Sequence, residues 1–434
     1  MSIVKTTRRC FIKSSSLALT GIAVGACGQK IELSPNITKY KELAEDDLRW
    51  KEIASFYDVN PDIINVENGN WGIMAKPVLE AYLKNTEKIN KFNSYFSRRE
   101  FGSAYNLIKE RLAIKLGAKT EEIALTRGAT EALQNIIGGF NALKKGDILM
   151  IADIDYGSIK AAMQTLARQN YCSVVELSIP EPVDYNTIIE FYRIAFIKNP
   201  KTKLLLLTHI SHRSGLVLPV REICQLAKQH NIYTVVDAAH AWGQINYKVN
   251  DLDADFIGFN LHKWMGCPLG LGIMYIKKEN INLINPNISE AWDSEKVQHR
   301  VHSGTVNYAA VLSIPSALDF HDKIGGTAKQ ERLKFLRNIW VKPCLEHKSI
   351  QILTPEDSRL YAGITSFRIR DCNSIKENQQ IANYLLKKHK LFTVHRSGLA
   401  AGACVRITPS LYNSVQDMEK TKCAVLDAAK YFNR

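Results

Sequence analysis

The chain has 434 residues, 46% apolar and 23% charged, which excludes a disordered or collagen-like protein and suits roughly two or three domains or one large core with an appendage. No run of about 18 apolar residues offers a membrane span. Lysine and arginine number 57 against 43 acids, a formal +14, of which residues 1–30 supply Lys5, Arg8, Arg9, Lys13 and Lys30 with no acid, leaving +9. That surplus favours anionic ligands or surfaces; with no basic run or nucleic-acid motif beside it, no nucleic acid is expected as partner.

Residues 1–26 read as an address. In Thr7-Arg8-Arg9-Cys10-Phe11-Ile12-Lys13, adjacent arginines precede an aromatic, an aliphatic and a lysine, and a weakly apolar segment, Ser16 to Ala26, follows. The arrangement resembles a twin-arginine export signal, read by a receptor and separate from the fold. That route carries proteins already folded, which points to a group loaded before export. Val24-Gly25-Ala26-Cys27 resembles a lipobox, whose Cys would carry lipid. The alternative is a plain small-residue cleavage site that happens to precede a Cys. The expected location is the periplasm, free or membrane-anchored, with a lipid at Cys27 as the only membrane contact. Residues 27–45 show no clear periodicity and read as a tether.

Residues 46–310 are expected to form a large domain. Short apolar runs alternate there with helical patterns. Strands are predicted at Ile123–Thr126, Asp147–Ile151, Ser173–Leu177, Leu204–Thr208, Ile232–Val236 (ending at Asp237), Phe256–Phe259 and Gly272–Ile276. Helices are predicted from Ala129, from Gly157, over Tyr185–Ile197 and from Pro219 to His230. Such alternation means an α/β fold, a mostly parallel seven-stranded sheet with helices on both faces. The near-continuous apolar character of the strands agrees with cover on both sides. Ligands of such sheets sit beyond the carboxyl ends of the strands.

Residues 311–434 read as a smaller α+β domain, to which the segment at the start of the large domain contributes. A mostly helical stretch spans Ala309 to Leu345. Strands follow at Ile364–Ile369, Leu391–Val394 and Cys404–Thr408, with helices at Ile381–His389 and from Gln416. The nine cysteines (10, 27, 172, 224, 267, 344, 372, 404 and 423) include no Cys-x-x-Cys pair. No zinc spacing, metal site or deducible disulfide pattern is present, and buried single thiols are the plain reading.

Four polar sets carry chemistry. Thr126-Arg127-Gly128-Ala129-Thr130-Glu131 opens a helix after a strand, where small residues let an anion approach the helix N-terminus; helix capping alone is the plainer account of such a turn. Asp237 ends an apolar strand, where a carboxylate is costly unless paired or aimed at a cation; an N-cap Asp is the alternative, and His240 follows three residues later. Lys263, in Asn260-Leu261-His262-Lys263-Trp264-Met265-Gly266-Cys267-Pro268, sits beside an apolar run and an aromatic, which lowers an amine's pKa and suits Schiff-base chemistry; most such lysines are simply on the surface. Arg406, in Val405-Arg406-Ile407-Thr408-Pro409, is by itself a charged residue on an edge strand. Their order matches what pyridoxal 5'-phosphate requires: a helix N-terminus for the phosphate, a carboxylate for the pyridinium nitrogen, and a lysine for the aldehyde.

At these residues the chain resembles class V aminotransferase-fold enzymes, which have the fold-type I pyridoxal-phosphate transferase architecture, and within them the isopenicillin N epimerase-like branch. The matching segments are Thr126–Leu133, Asp155-Tyr156-Gly157, Thr208–Pro219, Val235–Ala241, Asn260–Pro268, Ser303-Gly304-Thr305 and Arg406–Asn413. Asn260-Leu261-His262-Lys263-Trp264 is the most specific. The resemblance implies that Lys263 holds the cofactor and shuttles the α-proton, Asp237 pairs with the ring nitrogen, and His240 bonds the phenolic oxygen. Tyr156 would stack on the ring, although a core Tyr before a helix reads equally well from sequence. Gly128, Ala129, Thr130 and His262 would hold the phosphate. Asn260, where relatives often carry a hydroxyl residue, would be a further cofactor contact. Gly304 and Thr305 would reach the phosphate of a second subunit in a homodimer. Arg406 would grip the substrate carboxylate in a two-pronged contact, with Asn70 beside it.

The expected substrate is an amino acid or short peptide and the expected reaction epimerisation or transamination at its α-carbon, with a C–S β-lyase or a cysteine desulfurase as the alternative. A desulfurase needs a mobile-loop Cys. Cys404 comes late in Arg396–Cys404, in a predicted strand, and reads as structural. A lipoprotein that keeps the fold and only binds is the reading from another class, and intact Lys263, Asp237 and Arg406 argue against it. Tyr156, His209 and His212 are the candidates for an acid on the second face of the substrate, with loop histidines at the edge of the cofactor pocket, or plain structure, as the plainer reading of His209 and His212. Specificity is expected in Asn68–Trp71, Tyr95–Arg99 and Leu399–Ala403.

Overall fold

The computed structural model describes residues 36–291 and 294–433. The expected signal over 1–26 and Cys27 lie outside them. Two helices, α1 (Asn36–Glu45) and α2 (Asp47–Ala54), precede the short strand β1 (Ile64–Asn65) and the long helices α3 (Lys76–Arg99) and α4 (Phe101–Leu116). The tether expectation is therefore corrected over its last ten residues, which are helical; Ala44 is buried, and its carbonyl accepts from Arg332 Nη1 at 2.9 Å.

Strand and helix then alternate as far as β6, and two more strands follow without an intervening α-helix: β2 (Ile123–Thr126), α5 (Ala129–Gly139), β3 (Ile148–Ala152), α6 (Gly157–Gln169), β4 (Ser173–Leu177), α7 (Tyr185–Lys198), β5 (Thr202–Thr208), α8 (Val220–Gln229), β6 (Tyr233–Asp237), β7 (Phe256–Asn260) and β8 (Gly272–Ile276). The seven strands form one sheet in the order β2-β8-β7-β6-β5-β3-β4, with β8 antiparallel to both neighbours and the rest parallel. Alternate residues divide between its faces. Met150, Ala152, Leu205 and Leu207 enter one core, while Leu149, Ile151, Leu204 and Leu206 enter the other. Two apolar sets per strand, offset by one residue, leave no solvated face.

The chain continues through α9 (Tyr308–Ile324), α10 (Gly326–Leu345), β9 (Ile350–Ile352), β10 (Thr365–Ile369), α11 (Ile375–His389), β11 (Leu391–Phe392), β12 (Val394–Arg396), β13 (Cys404–Ile407) and α12 (Val415–Phe432). The helical stretch expected over 309–345 is two helices, broken at Gly325, whose φ of 87° is a conformation open to glycine. A second sheet, β12-β13-β10-β9, is antiparallel. Its core takes in Val66, and β1 pairs with β11, so the segment before α3 is built into this smaller body. The strand expected at Leu391–Val394 divides at Thr393, whose hydroxyl donates to the Arg406 carbonyl. Helix α11 starts six residues before its expected start, on a capping box between Ser374 and Glu377.

The seven described cysteines are free, and no metal-ligating group of His, Cys, Asp and Glu exists among the described residues. No described helix is long and apolar enough to cross a membrane.

Candidate active site

The carboxyl ends of β2, β3, β5, β6 and β7 open on one cavity of about 820 Å³. Asn70, Gly128, Ala129, Thr130, Tyr156, Asp237, His240, Asn260, His262, Lys263 and Arg406 all line it. Residues as far apart in sequence as Asn70 and Arg406 thus meet in one wall, as expected for a ligand at the strand ends of an open α/β sheet.

Lys263 leaves the loop after β7. Its Nζ lies 3.0 Å from His240 Nε2. Burial pulls its pKa down to about 8, opposed by Asp237 and reinforced by Arg406 and Arg396. Trp264 Nε1–H donates to His240 Nδ1 at 3.4 Å. An indole only donates, so Nδ1 accepts, and the neutral ring carries its proton on Nε2. Burial and the nearby cations hold His240 neutral. The tautomer therefore points an N–H at Lys263, whose amine accepts it when neutral.

Asp237, at the end of β6, accepts from Ala239 N–H at 2.9 Å. Burial raises its pKa, with that hydrogen bond and Lys263 opposing. A carboxylate so placed lacks a full counter-charge. Asp155 explains how the next loop is held: it accepts from Ala152 N–H at 2.7 Å and from the Thr208 hydroxyl at 2.6 Å, tying the β3 turn to β5. Tyr156 follows it at 44% exposure. The core-Tyr reading is thereby corrected, since the ring stands in the cavity wall, edge-on to His212 at 5.2 Å.

At the start of α5, Asn260 Oδ1 accepts from Ala129 N–H at 2.8 Å. Close packing shapes this turn: a Cβ on Gly272 would fall 2.5 Å from Gly128 Cα. His262 Nδ1 donates to the Leu271 carbonyl at 2.9 Å. Glu131 also lines the cavity, held by Arg127 and by His302 at 3.1 Å.

Other expectations divide. His212 lines the cavity, but His209 does not; it packs edge-on to Tyr247 at 4.9 Å, and burial takes its pKa down to about 3. Gly304 and Thr305 lie exposed outside the cavity of their own chain. Of the specificity segments, Gly69 and Asn70 line the cavity, whereas Tyr95–Arg99, at the end of α3, and Leu399–Ala403 do not. The latter is folded down, with Ala400 N–H donating to Asp153 at 2.9 Å and Arg368 donating to the Gly402 carbonyl at 3.0 Å. Cys404 is buried in β13, and burial pushes its thiol up to about 11.

Sequence reasoning missed Glu67 and Arg396. Arg406 Nη2 donates to both Glu67 oxygens, at 2.5 and 2.8 Å, and Arg396 Nη2 reaches Glu67 at 3.2 Å. An acid just after a two-residue strand carries no periodic signal, and Arg396 falls in a stretch that reads as loop.

The sequence model of the family described as Aminotransferase class-V matches residues 75–420. The isopenicillin N epimerase of Streptomyces clavuligerus is 23% identical over 337 residues, covering 74% of this chain and 84% of that protein. An L-cysteine desulfhydrase of Arabidopsis thaliana is 28% identical over 410 residues, 85% of this chain and 88% of that protein. Among solved structures, the apo cysteine desulfurase of Thermococcus onnurineus NA1 superposes with a TM-score of 0.75 at 21% identity, over 88% of this chain and 98% of that one.

Proposed function

The chain belongs to the class V aminotransferase family and is a pyridoxal 5'-phosphate-dependent enzyme; from that premise we propose that it removes the α-proton of an amino acid or short peptide, with epimerisation as the outcome. The observation that carries the reading is Lys263, an amine lowered to about 8 and held 3.0 Å from His240 in a cavity that also takes in Asp237 and Arg406.

The residues fit the cofactor. Asp237, a carboxylate that burial makes less acidic, gains a counter-charge from a protonated ring nitrogen. His240, with its Nε2–H fixed by Trp264, presents a donor to a phenolic oxygen. The N-terminus of α5, with Gly128, Ala129 and Thr130 at the cavity wall, favours a phosphate; His262 and Asn260 complete that side. Bound there, the cofactor supplies the electron sink that makes the α-proton removable. Lys263 takes that proton at Nζ and returns it. Arg406 orients the substrate by its carboxylate, and Asn70 and Tyr156 border the space its side chain would take. Proton return to the second face falls to Tyr156 or His212, which line the same cavity as Lys263.

A second reading, elimination of a β-thiol, is supported by the desulfhydrase relative. The burial of Cys404 disfavours a version that passes sulfur to that thiol. Homodimer formation through the exposed Gly304 and Thr305, twin-arginine export and lipidation at Cys27 complete the proposal.

The test is the visible spectrum of the purified protein, borohydride trapping with peptide mapping, and a panel of L- and D-amino acids that includes cysteine. Colour fixed at Lys263, with conversion of one enantiomer to the other, is expected. Sulfide release from cysteine without racemisation would select the second reading. A protein that takes up no pyridoxal phosphate would refute both.

A further inference from the structure

This inference rests on the assignment of Arg406 to the substrate carboxylate. In the structure that guanidinium already holds a carboxylate. Arg406 Nη2 donates to both oxygens of Glu67, at 2.5 and 2.8 Å, and Nη1 donates to the His212 carbonyl at 2.8 Å. Arg396 Nη2 reaches the same Glu67 oxygen at 3.2 Å. The Nε atoms of both arginines are buried without a partner, and both arginines line the cavity.

A two-pronged grip on a carboxylate needs two N–H groups on one edge of a guanidinium. Glu67 takes the Nη2 edge. A second carboxylate cannot join it there without bringing two like charges to within a few ångströms. The charge count allows one more anion in the neighbourhood: two guanidinium groups face one carboxylate. The backbone around Glu67 is fixed, with Thr408 N–H donating to the Val66 carbonyl at 2.7 Å and Asn68 N–H to the Thr408 carbonyl at 3.3 Å. Only the Glu67 side chain is left to move, and Arg396 is the cation within its reach.

We propose that Glu67 is a positioning residue that keeps the substrate's place on Arg406 in the resting site, and that an incoming α-carboxylate displaces it from Arg406 onto Arg396. Binding is then an exchange of one carboxylate for another. Arg406 never sits buried and unpaired, which would be strongly destabilising, and substrate affinity is lower than a fresh ion pair would give.

The test titrates the holoenzyme calorimetrically with L-alanine and D-alanine, which carry no β-leaving group, and records thermal unfolding with and without them. Glu67→Gln is expected to bind alanine at least about tenfold tighter than the wild type. Its ligand-free melting temperature falls, and alanine raises that temperature by more than in the wild type. Glu67→Asp keeps the charge for folding but draws it back by one methylene, and binds with intermediate affinity. Equal, weaker or undetectable binding in a folded Glu67 variant overturns the proposal. Arg406→Lys separates this failure from failure of the underlying assignment. If Arg406→Lys binds alanine as the wild type does, Arg406 is not the carboxylate site. If it loses binding while Glu67→Gln gains none, the site stands and the exchange falls.

Discussion

Replacing Lys263 by Met removes the reacting amine and also a cost that the cofactor-free fold carries. Burial takes the ammonium from an ordinary 10.5 to about 8. At 1.36 kcal/mol per pH unit this difference is worth about 3 kcal/mol. Lys263 is partly accessible from the cavity, and water there reduces the figure to about 1–3 kcal/mol. The folded amine holds its proton more weakly than the unfolded one. The cost is therefore complete below pH 8, shrinks as pH rises, and is gone near pH 10.5, where the amine is neutral in both states. Met has a similar length and no charge to desolvate. Urea unfolding of the cofactor-free proteins should show the Lys263→Met variant about 1–3 kcal/mol more stable at neutral pH, with the advantage fading toward about pH 10. The same variant should trap no cofactor with borohydride. A variant that is less stable at neutral pH, or whose advantage does not change with pH, would refute the argument that desolvation sets the Lys263 proton affinity.

Trp264→Phe removes the donor to His240 Nδ1 and keeps most of the apolar bulk. It should cost about 0.5–1.5 kcal/mol of stability and release the fixed tautomer, seen as a second set of His240 ring-nitrogen resonances; an unchanged tautomer would show that the 3.4 Å contact does not direct it. Gly272→Ala would place a methyl 2.5 Å from Gly128 and push the start of α5 away from β8. Cofactor binding should weaken by about tenfold or more, since the anion site depends on backbone placement; unchanged affinity would mean that this turn does not hold the phosphate.

The parts that were legible in the sequence are those whose residue type and position carry one physical message. An apolar run ending in Asp237, and a lysine followed by Trp264 after another such run, are arrangements that become costly once buried, and their order along the chain points to one cofactor. The seven strands were legible because cover on both faces makes them continuously apolar. The start of α11 was missed although Ser374 and Glu377 supply a readable box. The periodic apolar positions become regular only from Ile381, and they set the expected boundary. The divided strand at 391–396 was not legible, because its cause is a hydroxyl of Thr393 meeting the backbone of a strand thirteen residues later.

The charge arrangement around Arg406 was hidden for a related reason. Its logic lies in three segments that are close only after folding: Glu67 after β1, Arg396 at the end of β12 and Arg406 in β13. Taken singly, each is an ordinary surface-type residue. Together they form a group, buried at Glu67 and Arg406 and half-buried at Arg396, in which one carboxylate serves two guanidinium ions, beside an amine that burial has already made less basic. The two arginines lower the Lys263 proton affinity, and Glu67 raises it. The grip on a substrate carboxylate and the protonation of the amine are therefore coupled through the same three residues. Moving Glu67 toward or away from Lys263 changes the field on that amine, whereas a carboxylate arriving on Arg406 offsets the cation that depresses it. An anion in the carboxylate site should then make Lys263 more basic, which is the direction needed for it to hold an α-proton once substrate is in place.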